Sequence, residues 1–147
     1  MKIEHRAFAE MTVDELWRAL ALRTSVFVVE QACAYQEVDQ VDPQAYHSLG
    51  WLNKELVTYS RICPPGSVYP EASIGRVLSR KDLRGKAYGK QIFAAALAKT
   101  QELYPNQPVK IQAQCYLEKF YRQFGFERIS APYSDFGIMH FDMLRTG

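Results

Sequence analysis

Two glycines and three basic side chains crowd into one stretch of the chain, Leu83-Arg84-Gly85-Lys86-Ala87-Tyr88-Gly89-Lys90-Gln91-Ile92. The run that follows has helical periodicity. The first N–H groups of a helix have no intrahelical partner and carry the positive end of its dipole. Glycines let an anion approach the backbone closely. The chemistry such a stretch suits is phosphate binding, and a strand–turn–helix unit of this kind makes a pyrophosphate cradle. It is not a P-loop. Gly85 and Gly89 stand one residue too close, and Gln91 replaces the hydroxyl residue that would hold Mg²⁺. Nor is it a dinucleotide fingerprint, because G-x-G-x-x-G is absent. On these residues alone, a phosphate cradle and a basic surface turn carry equal weight.

Other reactive side chains are scattered. His5, His47 and His140 lie far apart in the sequence with no ligand spacing, so no metal is expected. Cys33, Cys63 and Cys115 form no CxxC pair and are too few for a disulfide framework, which fits a reducing cytoplasm. Cys115 has no activating base beside it in the sequence and reads as a small buried residue. The acidic segment EQACAYQEVDQVDPQ, residues 30–44, reads as a loop with one helical turn.

The elements that must position these residues are legible from pattern. Residues 2–8 suit a short strand. Thr12-Val13-Asp14-Glu15 is a capping box that opens a helix reaching about residue 28. Tyr46–Leu52 and Glu55–Ile62 read as strands joined by a tight turn at Asn53-Lys54. Ala72–Ser79 is a third strand, and Tyr88–Tyr104 a helix that Pro105 stops. Val109–Gln114 is a strand. Leu117, Phe120, Tyr121 and Phe124 have the spacing of a short helix, with Gly125 as its cap. Phe126–Ile129 and Gly137–Leu144 close the chain as strands. The expected fold is mixed α/β: a single domain, residues 1–147, with a central, mostly antiparallel sheet of about six or seven strands and helices on both faces.

Composition sets outer bounds. The chain has 147 residues, 48% hydrophobic and 23% charged, enough for a core and too apolar for disorder. A net charge of +2 gives no reason to expect nucleic-acid binding or membrane adhesion. No apolar run reaches the length of a membrane span. MKIEHRAFAEM carries acids and lacks an apolar stretch, so no secretory leader is expected.

Two segments together carry a specific likeness. Arg84-Gly85-Lys86-Ala87-Tyr88-Gly89 resembles the R/Q-x-x-G/A-x-G/A signature of the GNAT superfamily of acyl-CoA-dependent N-acyltransferases. About thirty residues on, Gln114-Cys115-Tyr116-Leu117-Glu118-Lys119-Phe120-Tyr121-Arg122-Gln123-Phe124-Gly125-Phe126 resembles the same family's FYxxFGF segment. The element order is similar too, so the likeness covers most of the chain. Leu22-Arg23, Val26-Phe27-Val28-Val29-Glu30-Gln31, Tyr35, Glu37, Asp39, Asp42, His47, Gly75-Arg76-Val77, Asp135-Phe136-Gly137-Ile138 and His140 resemble its ElaA-like subgroup. Ala87 and Gln114 depart from the commoner Gly and Asn.

The resemblance implies an acetyl-CoA site. Leu78 and Ser79 would pair with the pantetheine. Arg84, Gly85, Lys86, Ala87, Tyr88, Gly89 and Lys90 would hold the pyrophosphate, and Gln114 would flank the gap between two splaying strands. It also implies acetyl transfer to a primary amine by direct attack on the thioester. A lysine-like amine is only about one part in a thousand neutral at pH 7, so a proton acceptor is needed. The oxyanion needs a donor, most simply a backbone N–H. The departing thiolate needs Tyr121 as general acid. Glu37, Asp39 and His47, with Asp42 nearby, are the candidates for base or acceptor contacts. Their acidity suggests a cationic acceptor, whether a small molecule or a peptide amine. No nucleic-acid or membrane partner is expected, and free sheet edges suit a homodimer. The competing expectation is a CoA-binding or sensor domain without turnover.

Overall fold

A computed structural model describes residues 1–147. The eight strands form two antiparallel sheets rather than the single sheet expected. The first contains β1 (Lys2–Ala7), β2 (Tyr46–Leu52), β3 (Glu55–Cys63) and β4 (Ser73–Ser79), in that order across the sheet. The second contains β5 (Val109–Gln114), β6 (Glu127–Arg128), β7 (Tyr133–Asp135) and β8 (Ile138–Arg145), with β8 central. The sheets meet at one parallel bridge, Ala72 beside Val109, where the Lys110 N–H donates to the Ala72 carbonyl at 2.9 Å. Beyond that bridge β4 and β5 diverge, and the outer edge of β4 from Gly75 to Ser79 has no strand beside it.

Helix α1 (Val13–Arg23) starts at the capping box: Thr12 Oγ1 accepts from the Glu15 N–H at 3.0 Å and Glu15 Oε1 accepts from the Thr12 N–H at 2.9 Å. The regular helix ends five residues before the expected position. Thr24–Glu30 continues as a π-helical segment, a wider winding found where a helix must re-aim its side chains. Arg23 is thereby turned inward. Helix α2 (Tyr88–Leu103) and the short α3 (Glu118–Arg122) complete the frame. Tyr59 and Ile62, three apart on β3, point to opposite faces of the first sheet. Tyr59 packs with Ala19 of α1 and with Leu49 and Leu78, whereas Ile62 packs with Phe93, Ala96 and Leu97 of α2.

Alternation also organises the second sheet. Val109, Ile111, Ala113, Phe141 and Met143 enter the core. Gln112 pairs with Asp142, Gln114 with His140 and Tyr133 with His140, so these polar residues share the opposite face. Strand β7 was not expected from the sequence. The turn that joins it to β8 puts Phe136 (φ 50°) and Gly137 (φ 80°) in the left-handed region, as a two-residue hairpin turn requires. The Phe136 ring packs on Tyr35, with centroids 5.3 Å apart. Asn53 and Lys54 form a similar turn between β2 and β3, as their position predicts.

Candidate active site

The divergence of β4 from β5 opens a cleft of about 730 Å³. The residues that the sequence suggests for phosphate lie at one end of it, apart from Lys86. Ala87 caps α2 in the left-handed conformation (φ 64°) and offers no side chain to the free N–H groups of the first turn. Gly85 has φ 82°, and a Cβ there would meet nothing within 4 Å. Arg84, Gly85, Ala87, Tyr88, Gly89 and Lys90 line the cleft, with Leu78 and Ser79 on the β4 wall. Lys86 does not line it. Arg84 is held by both Glu30 oxygens, with Nη2–Oε1 at 2.9 Å, and its Nε donates to the Ser79 carbonyl at 3.2 Å. This ion pair holds the Glu30 carboxyl below its ordinary range. Uncapped N–H groups, an open glycine and two cations fit a pyrophosphate. The bare edge of β4 fits an extended chain with amide groups.

Tyr121 lines the cleft. Its ring is held edge-on by Phe93 (5.1 Å) and Phe120 (5.1 Å) and further off by Phe126 (6.4 Å), so the position of its hydroxyl is set by packing. The residue is 8% exposed, and its hydroxyl has no protein partner. Burial, with a smaller contribution from Tyr116, pushes its phenol up to about 12. It is therefore fully protonated at neutral pH and free to donate. Gln114 lines the same region and accepts from the Tyr116 hydroxyl.

On the β4 wall of the same cleft, the strand carries a bulge. Arg76 and Val77 together face Ser60, and Arg76 takes φ 51°. The bulge sends the Arg76 guanidinium over the Tyr35 ring, 5.5 Å from its centroid, where Nε donates to Glu37 Oε2 at 2.8 Å.

The acidic loop is arranged differently from the expectation. Glu37, Asp39 and His47 do not line the cleft. They belong to a charge network on the α1 face of the first sheet. Arg23, 0% exposed, donates to Glu37 Oε2 at 2.6 Å and 2.9 Å and grips Asp42 with two bonds of 2.8 Å and 3.1 Å. Arg61 donates to Asp39 at 2.7 Å and to Asp42 at 2.9 Å. With Arg76 the network holds three cations and three carboxylates and is electrically neutral. Burial pushes the Asp42 carboxyl up, but Arg23 and Arg61 outweigh it and hold the group at about 2. His47 contacts the Tyr59 hydroxyl at 2.6 Å, and its Nε2 donates to the Asp42 carbonyl at 3.0 Å. Burial lowers its pKa, so the ring stays neutral. Both ring nitrogens are occupied, and the carboxylates are saturated by guanidinium.

His140, which the sequence places on a late strand where it could face the cleft, does line it. His140, 8% exposed, bonds the Ile138 carbonyl through Nδ1 at 2.7 Å. Tyr35, Arg76, Gln112, Asp135 and Phe136 line the same end. The sequence signal was its place on the last strand and its resemblance, with Asp135-Phe136-Gly137-Ile138, to the ElaA-like subgroup.

This geometry matches known proteins. A family model described as an acetyltransferase (GNAT) domain matches residues 10–146. The chain belongs to the GNAT family of acetyltransferases. It is 40% identical to protein ElaA of Escherichia coli (strain K12) over 139 residues, covering 93% of this chain and 91% of that one. The crystal structure of E. coli ElaA superposes with TM-score 0.92 at 37% identity over 98% of each chain. The crystal structure of an acyl-CoA N-acyltransferase from Pseudomonas aeruginosa superposes with TM-score 0.94 at 35% identity over 99% of each chain. The chain is thus an enzyme of the ElaA-like subgroup that transfers an acyl group from a CoA thioester. No helix is long and apolar enough to cross a membrane.

Proposed function

We propose that this enzyme transfers acetyl from acetyl-CoA to a primary amine by direct attack on the thioester, with Tyr121 serving the leaving sulfur. The observation that carries the proposal is the partnerless Tyr121 hydroxyl, fixed by aromatic packing on the wall of a cleft whose other wall is an unpaired strand edge. Backbone N–H groups at 85–89 would hold the pyrophosphate, aided by Arg84 and Lys90. Leu78 and Ser79 would offer main-chain partners to the pantetheine, and the bulged β4 edge would supply the oxyanion donor. Lys86, exposed and outside the cleft, would add only long-range attraction.

The raised pKa of Tyr121 sharpens its role. A thiol titrates near 8.5 and this phenol near 12, so full proton transfer to a thiolate runs uphill by roughly 4–5 kcal/mol. Tyr121 therefore stabilises the thiolate as a hydrogen-bond donor, and solvent supplies the proton. Free Cys33, Cys63 and Cys115 suit a reducing cytoplasm. The outer edge of β1 offers a surface for a homodimer, which light scattering would test.

Calorimetric titration with acetyl-CoA, using CoA and ATP as comparisons, tests the reading. Micromolar acetyl-CoA binding, weakened by Arg84→Ala with Lys90→Ala, and thiol release that requires an added amine are expected. Binding without amine-dependent thiol release would make this a CoA sensor, and no binding would remove the site altogether.

A further inference from the structure

The cleft has a carboxylate toward each end, and only one of them is paired. Two carboxylates line it, Glu30 and Asp135. Glu30 is neutralised by Arg84. Asp135 has no cation within ion-pairing distance; its Oδ2 accepts only a neutral amide bond from Gln112 at 3.2 Å. An uncompensated carboxylate on a cleft wall attracts positive charge.

His140 lies on the same polar face of the second sheet. A backbone carbonyl can only accept, so the Nδ1 bonded to Ile138 must carry the ring hydrogen. That fixes the tautomer of the neutral ring and leaves the basic lone pair on Nε2, which has no protein partner although the residue is more than nine-tenths buried. His47 is the contrasting case, with both nitrogens engaged. Asp135 pairs with Ile138, two residues from His140, so the two side chains are diagonal neighbours about 7–8 Å apart at the backbone.

Resting on the acetyltransferase reading above, we propose that the β7–β8 face is the acceptor site for a dicationic amine: His140 Nε2 takes the proton of the reacting ammonium while Asp135 binds the second cation. The neutralised amine attacks the thioester carbonyl, forming the N–C bond. Collapse of the intermediate breaks the C–S bond. The nitrogen loses its second proton in this step. Both protons of the nitrogen pass to solvent, the first by way of the imidazolium, and solvent returns one to the CoA thiolate, so one proton is released in net. The charged and titratable groups facing His140 are Lys110, Tyr133, Asp135 and Asp142 on its own sheet, with Tyr35 and Arg76 across the cleft.

The test compares 1,4-diaminobutane with n-butylamine as acceptors. The wild-type enzyme should prefer the diamine by about tenfold or more in kcat/KM, and Asp135→Asn should abolish that preference. His140→Gln can still donate to the Ile138 carbonyl but has no basic nitrogen. It should lose on the order of 10²-fold or more in kcat at pH 7 with acetyl-CoA affinity unchanged. The loss should narrow as pH rises and free amine becomes abundant. His140→Gln within threefold of wild type, or equal use of both amines by wild type, overturns this assignment alone. A wild-type enzyme that binds acetyl-CoA yet acetylates no amine overturns the proposed function, and this assignment with it.

Discussion

Two regions of this molecule carry carboxylates, and the structure uses them in opposite ways. The loop holding Glu37, Asp39 and Asp42 is rich in carboxylates, yet each is bound by a guanidinium and none lines the cleft. The hairpin holding Asp135 and His140 looks bland, yet it faces the cleft with a carboxylate and an imidazole nitrogen left over. Carboxylate count is therefore a poor guide to function; the presence or absence of a partner decides. The loop's charges tie α1, β3 and β4 together, so they serve architecture. The hairpin's charges are unspent.

Substitutions can break this contrast or sharpen it. The largest effect is expected in the loop. Asp42→Ala removes the carboxylate shared by two buried guanidiniums, leaves the network with one uncompensated positive charge and should cost about 3–5 kcal/mol, read by urea unfolding. Asp135→Ala at the hairpin should stay within about 0.5 kcal/mol of wild type. Next comes Tyr121→Phe, which removes one hydrogen bond to a charged sulfur. It should lower kcat by roughly tenfold to a hundredfold, on the scale of 1.5–3 kcal/mol, with acetyl-CoA affinity retained. A smaller effect follows from pH. Burial lowers the pKa of both His47 and His5 below the ordinary value of 6.5. The unfolded chain then binds more protons in acid, so stability is complete above pH 6.5 and falls as pH drops through the lowered folded values. Melting curves should show this fall between pH 7 and 5, shallower in His47→Gln. Asp42 contributes over a separate window, between 3.8 and about 2. The smallest effect is assigned to Lys86→Ala, whose acetyl-CoA affinity should stay within about twofold, against roughly tenfold or more for Arg84→Ala with Lys90→Ala.

Much of the fold, and the part of the candidate cleft built from local motifs, was legible in the sequence. The capping box at Thr12, the glycines at 85 and 89 and the aromatic spacing around Tyr121 act within a few residues, where spacing carries the information. The misread features are non-local or locally disfavoured. Arg23, Arg61 and Arg76 reach the acidic loop from three different elements, and no spacing announces that convergence. Strand β7 was missed because its turn places Phe136, a bulky residue, at a left-handed position where Asn or Gly is expected. Contact with Tyr35 across the cleft offsets that preference, and it too is a tertiary event. The early end of α1 has the same origin: the π-helical winding turns Arg23 toward carboxylates that come later in the chain.

The seam between the two sheets has a consequence outside catalysis. From Gly75 onward, β4 presents peptide groups with no neighbouring strand, the feature by which sheets of separate molecules adhere. An acyl-CoA lying along that edge would act as a borrowed strand, and colloidal behaviour would then report on supply. Charged with co-substrate, the protein would stay dispersed and its β4 amides would exchange slowly with deuterated water. Starved of it, the same amides would exchange quickly and the bare edge would seek another chain.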